Sequence, residues 1–141
     1  MANILIVEDN PDVAAIFAEI LKDEGHKVET VAAAYGAIIK AIRVPFDLIL
    51  MDLLLQGSNG AVTSLALRGL GGSYENVPII VITGGMMPLE QDVYDRARFA
   101  GRMLKPVLPK ELIAEVDKHL NKTMPEVEGR AEGGVEGDQN G

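Results

Sequence analysis

Ile4-Leu5-Ile6-Val7-Glu8-Asp9-Asn10-Pro11 is the stretch that decides the fold. Four apolar residues in an unbroken run read as a parallel strand covered on both faces, because a half-exposed strand would alternate. Two acids end the run. Asn10 supplies a helix cap, and Pro11 fits the first turn, where a missing N–H costs nothing. Val13, Ile16, Phe17, Ile20 and Leu21 then recur at helical spacing, leaving Glu19, Lys22 and Asp23 outside, and Gly25 is placed to stop the helix.

This strand–helix unit repeats along the chain. Lys27-Val28-Glu29-Thr30-Val31 alternates polar and apolar, as an edge strand with one wetter face would. A helix is expected over Ala32 to Arg43 with Ile38, Ile39 and Ile42 inward. Leu48–Met51 and Ile79–Ile82 are continuous apolar runs and read as central strands. Between them lie a helix from Ala61 to about Leu70 and the turn-rich Gly71-Gly72-Ser73. A fourth helix runs from about Pro88 to Phe99 on Val93, Tyr94 and Ala97. A strand at Arg102–Leu104 and a helix from Pro109 to Leu120 complete a (βα)5 series, an α/β chain with a doubly wound, parallel five-stranded sheet. Residues 1–121 form one domain in this reading. Residues 122–141 hold five glycines and five acids and read as a disordered acidic tail.

Composition narrows the function classes. A chain of 141 residues supports one full core, and a net charge of −8 argues against duplex nucleic acid or anionic lipid as a direct partner. With no cysteine, disulfides, thiol catalysis and thiolate metal sites are excluded. The N-terminus lacks a basic region, and the longest apolar stretch, Phe46 to Leu55, is broken by Asp47 and Asp52. A cytoplasmic protein without nucleic-acid or membrane partners is the expectation.

Glu8, Asp9, Asp52, Thr83 and Lys105 each end or directly follow a strand-like run. Singly they are bland: the acid pair could be a solvated loop, and Asp52 could merely begin a turn. Open parallel sheets, however, bind ligands at the carboxyl ends of their strands, where strand order reverses. With the alternating strand at the edge, the first and third strands meet there and bring Glu8, Asp9 and Asp52 together. Clustered carboxylates repel, so the group calls for a cation or raised pKa values. A hard, all-oxygen site suits Mg²⁺. Asp52 is then the nucleophile, forming an aspartyl phosphate, with Lys105 neutralising one phosphoryl oxygen and Thr83 hydrogen-bonding another.

Val7-Glu8-Asp9-Asn10, Met51-Asp52, Gly57 and Gly60, Ile82-Thr83-Gly84 and Lys105-Pro106 resemble, in order and spacing, the motifs of a two-component response-regulator receiver domain. The resemblance runs from Asn3 to about Leu120. It implies a flavodoxin-like, CheY-like sheet of strand order 2-1-3-4-5, with Asp52 as phosphoacceptor. It further implies Mg²⁺ held directly by Asp9 and Asp52, through water by Glu8, and by the backbone carbonyl of Leu54. Thr83 and Lys105 would contact the phosphoryl group, and the Lys105–Pro106 bond would be cis. Implied partners are a sensor histidine kinase or histidine phosphotransfer protein and a downstream protein target. Such a stand-alone receiver is not an enzyme beyond its own phosphotransfer and dephosphorylation.

The chain departs from the family pattern at several points. Gln56 stands where proline is usual, Gly84 where alanine is usual, and Ala97-Arg98-Phe99 replaces Ala-Gly-Ala. Arg102 occupies the place of an aromatic that commonly swings inward as the threonine moves. Leu54 and Gly85, at the positions that tune phosphoryl lifetime, offer no polar side chain, which predicts slow self-dephosphorylation. Met86, Met87, Val93, Tyr94 and Arg102 form the expected partner surface, since methionine repacks easily. His26 and His119, near helix ends, are expected at the surface or as caps. Two competing readings are a degenerate receiver that binds partners without phosphorylation and a Mg²⁺-dependent phosphatase. Against the second, no acid sits two residues after Asp52 to protonate a leaving group.

Overall fold

Strand-forming runs and amphipathic helices alternate in the computed structural model, which describes residues 1–85 and 91–123. The strands are β1 (Asn3–Val7), β2 (Lys27–Val31), β3 (Leu48–Asp52), β4 (Leu54–Leu55), β5 (Ser58–Asn59), β6 (Ile79–Thr83) and β7 (Gly101–Leu104). The helices are α1 (Pro11–Asp23), α2 (Ala34–Arg43), α3 (Gly60–Arg68), α4 (Gln91–Ala97) and α5 (Pro109–Thr123). Five strands pair in parallel in the order β2-β1-β3-β6-β7, the 2-1-3-4-5 order of the main strands. The short β4 and β5 form a separate antiparallel hairpin that periodicity did not reveal.

Every residue of β3 and β6 is buried, as their continuous apolar runs require. β2 sits at the edge and is only partly buried, matching its alternation. One face of the sheet packs Ile4, Ile6, Leu48, Leu50, Ile80 and Ile82 against Phe17, Leu21, Leu112 and Val116 of α1 and α5. The other packs Leu5, Val7, Ile49, Met51 and Ile79 against Ala37, Ala41 and Leu67 of α2 and α3.

Local chemistry sets the element ends. Asn10 accepts from the N–H groups of Asp12 and Val13, 2.9 and 3.2 Å away, and so caps α1 in front of Pro11. At the far end Gly25 takes φ 95°, and the amides of Gly25 and His26 return to the carbonyls of Lys22 and Leu21, a Schellman closure.

Two helical faces differ from the spacing argument. Ile16 is 55% exposed, and Ala14 and Ala18 share the buried face of α1 with Phe17 and Leu21. In α2, Ala37 and Ala41 face the sheet, Ile38 packs only at the core margin, and Ile42 is 65% exposed. The small alanines let the helices sit close to the sheet, which turns the larger residues outward. α2 starts at Ala34 and α3 at Gly60, with Asn59 capping α3 through its side chain. α4 ends at Ala97 rather than Phe99, because Arg98 takes φ 54° and turns the chain. The expected start of this helix at Pro88 lies outside the described residues. α5 continues to Thr123, past the expected boundary, and residues from 124 onward also lie outside the described residues.

Candidate functional site

The five residues singled out by sequence do meet at the carboxyl ends of β1, β3, β6 and β7. Pairing of β1 with both β2 and β3 puts Val7 beside Met51, so the acids after Val7 face the acid after Met51. Oxygen atoms of Glu8, Asp9 and Asp52, one from each, lie within 4.8 Å of one another. Lys105 Nζ stands 3.4 Å from both Glu8 Oε1 and Asp52 Oδ2. Thr83, the last residue of β6, is buried, and its Oγ1 accepts from the N–H of Gly85 at 3.2 Å. The Lys105 amide donates to the Thr83 carbonyl at 2.8 Å, tying the ends of β6 and β7 together ahead of the cis Lys105–Pro106 bond.

Burial makes the acid cluster costly. Burial raises the Glu8 pKa above the ordinary carboxylate value; the Asn10 N–H bond opposes this, the Asp52 charge adds to it, and Lys105 opposes it. Glu8 Oε2 accepts that N–H at 3.1 Å, whereas Oε1 is buried with no hydrogen-bond partner among the described residues. Among the described residues one lysine is shared by two buried carboxylates at 3.4 Å, which leaves the cluster short of positive charge. A buried carboxylate oxygen with only a lysine at 3.4 Å and no hydrogen bond among the described residues, set among all-oxygen donors, fits a small hard dication such as Mg²⁺, which tolerates few protein ligands and keeps several waters.

The β4–β5 hairpin closes one side of the site. Leu54 donates its N–H to Asp52 Oδ1 at 3.3 Å, and Gln56 donates its N–H to Asp9 Oδ2 at 2.8 Å. Sequence reasoning missed Gln56 as a contributor; the available signal was the Gln56-Gly57 pair, whose Gly57 takes φ 72° in the two-residue turn. Gly60 must be glycine for a steric reason. A Cβ there would overlap the Asp52 carbonyl oxygen and lie 2.9 Å from Leu53 Cα and Met51 Cγ.

On the other side, Val13, Ile16, Phe17, Gly84, Lys105, Pro106 and Val107 line an apolar hollow of about 520 Å³. The exposed Ile16 thereby shares a hollow with Lys105. Of the expected partner surface, Met86 and Met87 lie outside the described residues. Val93 and Tyr94 pack with Phe99 against Leu53, Ala61 and Val81, and the buried Tyr94 hydroxyl has no hydrogen-bond partner among the described residues. Burial raises the Tyr94 pKa, and the positive charge of Arg102 counteracts it. Arg102 itself is exposed on the edge strand, with no ion pair among the described residues. His26 accepts from the Ala2 N–H at 3.2 Å. His119 is not at the surface: it is buried and pairs with Glu115 at 2.8 Å, so it is a satisfied interior side chain.

Comparison with known proteins gives the same picture. The family model described as the response regulator receiver domain matches residues 4–117. Over 123 residues the chain is 30% identical to the DNA-binding response regulator MtrA of Mycolicibacterium smegmatis, covering 87% of this chain and 52% of that protein. The chain thus spans about half the length of the curated relatives it matches. Among solved structures, the chemotaxis protein CheY4 of Vibrio cholerae superposes with TM-score 0.78 at 27% identity, covering 84% of this chain and 98% of that one. The receiver domain of the sensor histidine kinase PA1611 of Pseudomonas aeruginosa, solved with magnesium in its active-site cleft, gives TM-score 0.76 at 28% identity, covering 85% and 98%. The relative named as DNA-binding removes support from the expectation that nucleic acid plays no part, because net charge speaks only for the chain that carries it. Among the described residues, no helix is long and apolar enough to cross a membrane.

Proposed function

The chain belongs to the response-regulator receiver family, and on that premise we propose that it is a Mg²⁺-dependent phosphoacceptor that takes a phosphoryl group onto Asp52. The observation that carries this reading is the buried Asp52 carboxylate with Lys105 Nζ at 3.4 Å and the oxygens of Glu8 and Asp9 alongside. The donor is a phosphohistidine of a kinase or phosphotransfer protein. A carboxylate oxygen of Asp52 forms the new bond to phosphorus as the phosphorus–nitrogen bond to the donor imidazole breaks.

Asp9 and Asp52 are the direct metal ligands in this reading, with Glu8 acting through water and Leu54 contributing its backbone carbonyl. The ion supplies charge neutralisation that lets the anionic phosphoryl group approach three carboxylates. Lys105 is half-buried and mobile enough to follow a phosphoryl oxygen as a point charge. Thr83 exchanges its bond from the Gly85 N–H for one to the phosphoryl group. That exchange biases the segment after β6, and hence α4 and the surface around Arg102, toward a downstream protein. The apolar hollow flanked by Ile16 and Val107 gives the donor protein a dry contact beside Lys105. All of this chemistry belongs to the receiver's own phosphorylation, not to turnover of a separate substrate, and the cytoplasm is where such donors act.

Mass spectrometry tests the reading directly. The protein incubated with Mg²⁺ and acetyl phosphate should gain one base-labile phosphate, and Asp52→Asn should gain none. No adduct with any acyl-phosphate or phosphohistidine donor would leave a phosphorylation-independent binding module. Steady turnover of phosphate esters would instead indicate a phosphatase.

A further inference from the structure

Asp9 is held from outside the acid cluster. Its Oδ2 accepts the backbone N–H of Gln56 at 2.8 Å, across 47 residues of sequence. The contact comes from the turn of the β4–β5 hairpin, whose first residue, Leu54, bonds Asp52. One hairpin therefore orients two of the three carboxylates. In the two-residue turn from Leu55 to Ser58, Gln56 is the second residue, whose N–H the turn itself does not use. That donor is free to serve Asp9.

We propose that the Gln56 amide is a positioning group for the cation: it fixes the Asp9 carboxylate with one oxygen tied back and the other presented to the site. This rests on the reading of Glu8, Asp9 and Asp52 as a Mg²⁺ site. Asp9 is only half-buried, so without this bond repulsion from Glu8 and Asp52 favours rotation of its carboxylate into water. Tying the carboxylate back removes that escape before the cation arrives, and ligands hydrogen-bonded from outside hold metals more tightly than free ones. The donor is main chain, so the side chain at position 56 is irrelevant unless it is proline, which has no N–H. The proline usual in the family at this point could not make the contact.

The turn makes the test clean. Gln56 does not take positive φ and Gly57 has φ 72°, the sign pattern of a type II turn, in which proline is common at the second position. Gln56→Pro thus deletes the donor while keeping the hairpin, and Gln56→Ala keeps both. Isothermal titration of the full chain with MgCl₂ should give Gln56→Ala an affinity within about twofold of the parent and Gln56→Pro one weaker by about 10–100-fold. At saturating Mg²⁺ the maximal rate of labelling by acetyl phosphate should return to that of the parent, a split that general disruption of the site would not produce. Independently of any proline variant, the Gln56 amide should be protected from hydrogen exchange in the metal-free protein and lose that protection in Asp9→Ala. Equal or tighter Mg²⁺ binding by Gln56→Pro, or an unprotected Gln56 amide, overturns the proposal. A parent protein that binds no Mg²⁺ overturns the metal-site reading and this inference with it.

Discussion

Gly60→Ala tests how tightly Asp52, the proposed phosphoacceptor, is built into the sheet. The added methyl would overlap the Asp52 carbonyl oxygen and reach Leu53 Cα and Met51 Cγ at 2.9 Å, where ordinary contacts begin near 3.4 Å. Two of these neighbours are backbone and cannot rotate away. They are also held, because Leu53 donates to Ile82 O at 2.9 Å and accepts from the Gly60 N–H at 2.7 Å. Relief therefore requires α3 to back off or the end of β3 to move. Overpacking of this kind costs about 1–3 kcal/mol, and a backbone clash belongs at the upper end. The usual gain of alanine over glycine, about 1 kcal/mol in a helix interior, is smaller at the first residue of α3. A net loss of about 2 kcal/mol is expected by urea unfolding. Displacement of Asp52 should also slow labelling by acetyl phosphate about tenfold, since misplacement by 1 Å can cost about a hundredfold. Gly57→Ala is the contrast, with nothing within 4 Å of its added methyl and only the strain of φ 72°, about 1–2 kcal/mol. A Gly60→Ala protein within 0.5 kcal/mol of the parent (about the limit for inert surface changes) and labelled at the parental rate would refute the reasoning.

Further expectations concern residues away from the chemistry. Arg68 donates to the carbonyls of Ala97, Arg98, Tyr74 and Val77, at 3.1, 3.0, 3.1 and 2.5 Å, and burial beside Arg98 lowers its pKa to about 10. Arg68→Met should lower stability by about 3 kcal/mol in urea unfolding, and Arg68→Lys should recover less than half, because an ammonium cannot reproduce the planar fork. Full recovery by lysine would show that charge rather than geometry matters there. Tyr74 is buried, donates to Val44 O at 2.8 Å, and has its pKa raised by that burial. Tyr94 is raised for the same reason. A phenol whose folded pKa exceeds its unfolded one keeps its proton longer when folded, so stability is retained below about pH 10 and falls as pH rises beyond it. Ultraviolet titration of tyrosinate should show two delayed groups in the parent and one in Tyr74→Phe; an unchanged late phase in Tyr74→Phe would contradict this.

The acid pair after Val7, Asp52, Thr83 and Lys105 was legible because each marks the end of an apolar run, and parallel strands must all end on the same side. The resemblance added the cis bond at Lys105–Pro106, which the structure contains. Gln56 was not legible as a contributor: Gly57 marks a turn there, but nothing local says which group a turn N–H will bond, and its partner lies 47 residues away. Ile16 and Ile42 were misplaced for a related reason. Helical spacing identifies an apolar stripe, but in α1 and α2 the buried positions include alanines that permit close approach to the sheet. Only packing decides which of two adjacent apolar stripes faces in.

The sequence by itself determined the α/β class, the edge position of β2 and which five side chains meet at the strand ends. Period and run length are local properties that survive without a partner. Tertiary structure alone decided that, among the described residues, one lysine serves two buried carboxylates, one Glu8 oxygen is left without a hydrogen bond, and a hairpin amide holds Asp9. Those facts are distances between segments remote in the chain, and no local pattern encodes them.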